Sequence, residues 1–255
     1  NFYAEVILYE TPELEILPSQ RDHSLFLSID NLVDDVNLYG YYGGIRLLKA
    51  AVKRFREYCT ENKMPLHGRN FTLRYRSTIP HRVGLAGSSA IITACMRCLM
   101  EFYEVEIPKP LLANLILAVE NEELGITAGL QDRVAQVYQG MIYMNFDKEI
   151  MEAQGYGEYM PIDYSRIPPL YIAYRDDLSE GSEVFHNDIR HRFDKGDAEV
   201  VAAMKSWAEL TDKFTAALDT EDAGALGRLI DRNFNLRRTL YRISKKNLQM
   251  VQAAR

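Results

Sequence analysis

One segment limits what this chain can fold into more than any other: Pro80-His81-Arg82-Val83-Gly84-Leu85-Ala86-Gly87-Ser88-Ser89-Ala90. Two glycines and two serines lie there between a strand-like stretch and a helix-like one. Phe71 to Arg76 alternates apolar and polar residues of β-forming types, and Ala90 to Tyr103 is rich in apolar residues with no glycine or proline. That order places the glycines and serines at the N-terminus of a helix, where backbone N–H groups lack partners and the helix dipole is positive. Glycine lets such a backbone come close to an anion, and phosphate is the natural guest. A plain strand-to-helix connection uses the same residue types, so the segment alone leaves both readings open. No Gly-Lys-Ser/Thr follows, which excludes a Walker A loop and its phosphate-binding lysine.

With 255 residues the chain can bury a sizeable core, as one large domain or two small ones. A net charge of −6 argues against a general binder of nucleic acid or anionic membranes. No apolar run approaches the length of a membrane-spanning helix. No leader-like segment is read at the N-terminus, which opens at Asn1 rather than Met. Three cysteines, an odd number, fit a reducing compartment, and a cytoplasmic location is expected. Cys95 and Cys98 form a Cys-x-x-Cys pair inside the predicted helix, without a second such pair or nearby histidines, and read as buried helix cysteines.

In chain order, Asn1 to Tyr9 and Glu13 to Leu17 read as strands, with another short one at Asp22 to Asp30. Gly40-Tyr41-Tyr42-Gly43-Gly44 precedes a helix from Ile45 to Glu61, on which Leu47, Leu48, Ala51, Val52 and Phe55 recur at helical spacing. The Tyr/Gly cluster is either a turn with aromatic packing or the wall of a substrate or nucleotide site. Pro110 to Glu123 reads as a helix ending at Gly125, a plausible left-handed cap. In the following Gly125 to Gly140, Asp132-Arg133 sits between apolar neighbours just after two glycines, where a lone aspartate reads as an N-cap. Met141 to Phe146 reads as a strand, and polar Asp147 to Ser165 as a domain boundary. Leu170 to Tyr174 is an apolar run fit for a buried strand. Helices are expected over Glu183 to Phe193, Ala198 to Thr220 and Ala223 to Arg242, with a last start at Asn247.

Through Gly84-Leu85-Ala86-Gly87-Ser88-Ser89-Ala90 the chain resembles the GHMP kinases, whose second motif reads Pro-x3-Gly-Leu-x-Ser-Ser; Gly87 is one residue extra. This variant, the Tyr-Tyr-Gly-Gly segment and the stretch from Gly125 to Gly140 look most like the glucuronokinase branch. The resemblance implies an α+β fold of two domains: an ATP-binding α/β domain over residues 1–160 and a ferredoxin-like, helix-rich domain over 161–255. It implies ATP and Mg²⁺ as cofactors, with Gly84, Leu85, Ala86, Gly87, Ser88, Ser89 and Ala90 around the nucleotide. Ser88 or Ser89 would meet the metal together with Glu120, for which Glu122 and Glu123 are rivals. Asp132 would be the catalytic residue, and Tyr41, Tyr42, Gly43 and Arg133 would touch substrate; the charge of Arg133 could also steady the Asp132 carboxylate.

The same resemblance implies transfer of phosphate to the anomeric hydroxyl of glucuronate. A uronate carboxylate calls for a cation in the pocket, and Arg46, Arg82, Arg133, Arg237 and Arg238 are the candidates. The expected partners are a sugar and ATP, with no nucleic acid and no membrane; a homodimer stays open. Alternatives are another acceptor (heptose phosphate, galactose or fucose) or a non-catalytic sensor of nucleotide or sugar. Only the second of the family's three motifs is complete. The first would precede Asn1 and the third, glycine-rich, would follow Arg255, so the chain is either an excerpt of a longer enzyme, which is the expectation, or a catalytically crippled form.

Overall fold

A computed structural model describes residues 2–17, 44–80, 84–174, 189–220 and 222–255. The chain divides into two compact units, Asn1–Met160 and Pro161–Arg255. In the first, strand β1 (Ala4–Thr11) pairs antiparallel with β3 (Asn70–Ser77), and the two-residue β2 (Glu15–Ile16) runs parallel to β3 on its other side, giving the order β1-β3-β2. The central strand is buried on both faces at its start. Phe71 and Leu73 enter the apolar core, while buried Thr72 shares a hydrogen bond with Thr11 at 2.9 Å.

Helix α1 (Gly44–Glu61) buries Leu47, Leu48, Ala51, Phe55 and Cys59, one stripe at helical spacing. It packs against α2 (Gly87–Tyr103), which also lies on β1 and buries Ile91, Ile92, Cys95, Met96 and Leu99. Each such side chain contributes about 1.5–3 kcal/mol by leaving water. Phe71, Phe102, Tyr103 and His67 close the far end of this core, edge to face. Cys95 is fully buried, and burial pushes its thiol well above the usual range, so it is a packing residue.

Helix α3 (Lys109–Ala118) runs directly into a π-helical turn, Val119–Glu123, so the single helix expected over Pro110 to Glu123 changes pitch in its last turn. Gly125 follows at φ +65, and its left-handed backbone lets the Ile126 N–H close on the Glu120 carbonyl at 2.7 Å. Helix α4 (Leu130–Tyr138) packs on α3 and α2. The division between the two units falls inside the polar stretch from Asp147 to Ser165, and that stretch also holds structure. Strand β4 (Met141–Asn145) is followed by helix α5 (Lys148–Gln154), capped by Asp147, and by strand β5 (Glu158–Ile162), which pairs with β4. Short elements with polar outer faces leave a weak periodic signal, which is why α5 and β5 were not expected from the sequence.

The second unit is helical among its described residues. A helical segment at 189–194 leads to α6 (Ala198–Asp219), which packs against α7 (Ala223–Leu240); α8 (Lys245–Ala254) follows. Asp197, Asp222 and Ser244 cap α6, α7 and α8 through side-chain oxygens. Leu170 to Tyr174 is not the buried strand that its composition suggests. It makes no ladder among the described residues, and Tyr171 is 95% exposed. An apolar run becomes a buried strand only where neighbouring strands supply hydrogen bonds, which sequence composition does not reveal. The strand expected at Asp22 to Asp30 and the start of the helix expected at Glu183 lie outside the described residues.

Candidate active site

The glycine-serine segment is the entry to α2. Ala86 occupies its N-cap position in the left-handed region, at φ 52 and ψ 41, with Gly84 also left-handed at φ 76. A left-handed alanine costs about 1–2 kcal/mol relative to the ordinary helical basin, and it persists because its carbonyl is held from three sides. That oxygen accepts from the Ala90 N–H at 3.1 Å, the Ser89 hydroxyl at 3.1 Å and the Gln136 side-chain amide at 2.9 Å. No side chain caps the helix start and no acidic residue lies in its first turn. The amides of Gly87, Ser88 and Ser89 therefore form a helix end suited to an anion.

The two serines part company. Ser89 is fully buried, its hydroxyl spent on Ala86, so it does not fit the metal role that its sequence position allowed. Ala90 also leaves the set of phosphate-binding amides, because its N–H makes the first bond of the helix. Ser88 is half-buried and donates to Glu120 Oε1 at 2.6 Å. Gly84 is exposed, and Leu85, Ala86 and Gly87 are half-buried.

Glu120 is fully buried within the π turn. Val119 and Glu120 both face inward, three and four residues after buried Ile116. Its rivals point elsewhere: Glu123 takes Lys53 at 2.5 Å and Glu122 takes Arg54 at 3.1 Å, both on α1. The Glu123 carboxylate holds the Lys53 ammonium above its ordinary range. Glu120 Oε2 accepts from Arg133 Nε at 2.6 Å and from Arg133 Nη2. Arg133 Nη1 donates to the Gly129 carbonyl at 2.9 Å and to Asp132 Oδ2 at 3.3 Å. All three guanidinium nitrogens thus hold protein acceptors, so Arg133 is turned toward Glu120 rather than toward a substrate carboxylate.

Asp132 is the third residue of α4, whose cap position is Gly129, so it is not the N-cap. Successive helix residues point about 100° apart, which sends Arg133 inward and leaves the Asp132 side chain 56% exposed. Two further residues, missed in the sequence, join the group. Gln136 reaches Ala86 as described, and its Oε1 accepts from Thr93 at 3.2 Å. Its spacing of four from Asp132, one helical turn, was the available signal. Tyr41, Tyr42, Gly43 and Arg82 lie outside the described residues; Arg46 sits exposed on α1, and Arg237 and Arg238 belong to α7, Arg237 over the Tyr241 ring.

Among the described residues no group of three or more His, Cys, Asp or Glu gathers as a metal cage. Mg²⁺ does not need one, since it keeps several waters and shares substrate phosphates. The hard oxygens of Ser88 and Glu120, side by side at an anion-binding helix end, fit that ion.

A helix entry suited to an anion, a buried carboxylate beside it and an exposed aspartate on a neighbouring helix are the parts that phosphoryl transfer uses. Residues 46–140 match the model of the GHMP kinases N terminal domain. The whole chain is 42% identical over 261 residues to Glucuronokinase 1 of Arabidopsis thaliana, covering 72% of it, and 44% identical over 262 residues to Probable glucuronokinase 2 of the same plant, covering 71%. Streptococcus pneumoniae phosphomevalonate kinase has a similar fold, with a TM-score of 0.63 at 11% identity over 92% of this chain and 69% of that one. The chain belongs to the GHMP kinases, a family of ATP-dependent phosphotransferases.

Proposed function

We propose that this protein transfers the γ-phosphoryl group of ATP to the anomeric hydroxyl of D-glucuronate, yielding glucuronate 1-phosphate and ADP. Identity of 42–44% along the entire chain to Glucuronokinase 1 and Probable glucuronokinase 2 carries the choice of acceptor. The site geometry supports the chemistry. The amides of Gly87, Ser88 and Ser89 bind phosphate oxygens at the start of α2, where the dipole favours negative charge. Ser88 and Glu120 would hold Mg²⁺, which would spread the charge of the transferring phosphate. Asp132, exposed on α4, accepts the proton of the sugar hydroxyl as its oxygen bonds to the γ-phosphorus and the bond to the ADP oxygen breaks. A setting in the cytoplasm is part of this reading, supported by three free thiols, Cys59, Cys95 and Cys98. Among the described residues no helix is long and apolar enough to cross a membrane.

The test is ADP release with Mg-ATP across glucuronate, galacturonate, galactose, fucose and heptose phosphate. Turnover confined to uronates is the expected result. Preference for a neutral sugar would discard the acceptor and keep the kinase, and nucleotide binding without turnover on any sugar would replace the kinase with a sensor.

A further inference from the structure

The guanidinium of Arg133 is the most deeply buried cation among the described residues, and phosphoryl transfer as set out above gives it no task. We propose that Arg133 is a positioning residue, a clamp that fixes the Glu120 carboxylate in one orientation so that Oε1 alone faces Ser88 and the metal. The inference rests on the kinase reading and adds the device that makes its metal site specific.

Three features carry it. First, the division of labour on Glu120 is complete: Arg133 Nε and Nη2 both take Oε2, and Ser88 takes Oε1. A carboxylate bound on both oxygens cannot rotate, which limits it to a single metal-facing oxygen. Second, the clamp is itself anchored. Arg133 Nη1 rests on the carbonyl of Gly129, the N-cap of α4, and touches Asp132 on the same helix. The fork therefore ties the π turn that carries Glu120 to the helix that carries Asp132. Third, both partners are dry, with side chains 6% and 0% exposed. Water cannot take over the role, and an unpaired buried carboxylate would be strongly disfavoured.

Lysine cannot reproduce this arrangement. It carries the charge at a single point, without the planar fork that sets Nε and Nη2 on one oxygen while Nη1 holds the helix cap. Charge and orientation are therefore separable by Arg133→Lys, whereas Arg133→Met removes both and leaves the buried Glu120 carboxylate without a cation, with only the Ser88 hydroxyl on Oε1.

The experiment compares wild type, R133K and R133M in the full chain by three readouts: thermal melting, binding of a non-hydrolysable ATP analogue without divalent ion, and Mn²⁺ binding in the presence of that analogue, followed by electron paramagnetic resonance. For R133K the expected result is melting within a few degrees of wild type, metal-free nucleotide binding within about threefold, and Mn²⁺ binding weakened about tenfold or more. R133M should lose stability as well. If R133K binds Mn²⁺ like wild type, orientation is not the function of Arg133 and the clamp is overturned, whatever R133M does. If R133K loses Mn²⁺ only in step with nucleotide binding and melting, Arg133 is structural and the proposal also falls. Wild-type protein that binds the analogue but no Mn²⁺ would overturn the metal reading itself, a distinct failure.

Discussion

The two units of this chain treat their polar groups in opposite ways. The buried polar and charged residues among those described, Thr72, Ser89, Thr93, Glu120 and Arg133, all belong to the first unit. In the second, the ion pairs Arg192–Asp197, Lys213–Glu209, Arg228–Asp222 and Arg255–Asp231 lie at the surface, where solvent screens them and they contribute little. Burying an ion pair costs desolvation of both partners, and a well-packed apolar pair of similar volume would often be as stable. The first unit keeps its pair beside a strained helix entry, where the proposed function places phosphate and metal. Polar burial thus marks the first unit as the one that carries the candidate site.

The contrast is broken most severely at Asp132. Asp132→Asn should reduce turnover about 10²- to 10⁴-fold while the melting temperature stays put, because the side chain is largely in water. Turnover near wild type in that variant would remove Asp132 from the chemistry. Next comes Glu120→Ala, which strands the Arg133 guanidinium in the interior. It should lower unfolding free energy by about 3–5 kcal/mol, read from urea denaturation, in addition to abolishing activity. A loss below about 1 kcal/mol would mean that water reaches the site and that the buried network is looser than its hydrogen bonds imply.

A smaller effect is expected at the helix entry. Ala86→Gly relieves a left-handed alanine and should raise stability by up to about 1 kcal/mol, yet it frees the turn and should raise the KM for ATP with little change in kcat. A lower KM would show that the strained turn is not preorganised for phosphate. The smallest change belongs to the second unit. The hydrogen bond from Arg192 holds Asp197 below its ordinary value, so its contribution is present at neutral pH and is lost as pH falls through that lowered value. Asp197→Ala should lower melting slightly at pH 7, converge with wild type in acid and leave ADP release untouched. A drop in turnover would show that the cap of α6 matters to the site.

Much of the site was legible because its chemistry lies in short contiguous segments. Gly84 to Ser89 marks the start of a helix through residue types alone, with the phosphate reading favoured only by the family resemblance, and Asp132 follows the glycines at the start of its own helix. Leu47, Leu48, Ala51 and Phe55 likewise declare the buried stripe of α1 by their period. What the segments do to one another was not legible. Ser88 and Ser89 are neighbours of identical chemistry, and only the rotation of α2 sends one to Glu120 and the other back to Ala86. Three glutamates within four residues compete for the same role until a π turn, which has no clear sequence signature, buries Glu120 and leaves Glu122 and Glu123 to the cations of α1.

Local sequence by itself determined which backbone can cradle a phosphate, which faces are apolar and which residue types are present to bind a metal or accept a proton. Tertiary structure decided which of those residues meet. Arg133 offered a cation to a substrate carboxylate, to Asp132 or to solvent. It went to Glu120, 13 positions earlier in the chain, because in a dry interior a buried carboxylate must be paired and the packing of α4 against α3 brings the guanidinium to it. Leu170 to Tyr174 shows the same rule in reverse: composition wrote a buried strand, and with no ladder beside it among the described residues the run is exposed. Pairing and burial depend on neighbours that are distant in sequence, and it is there that reading the chain one segment at a time runs out.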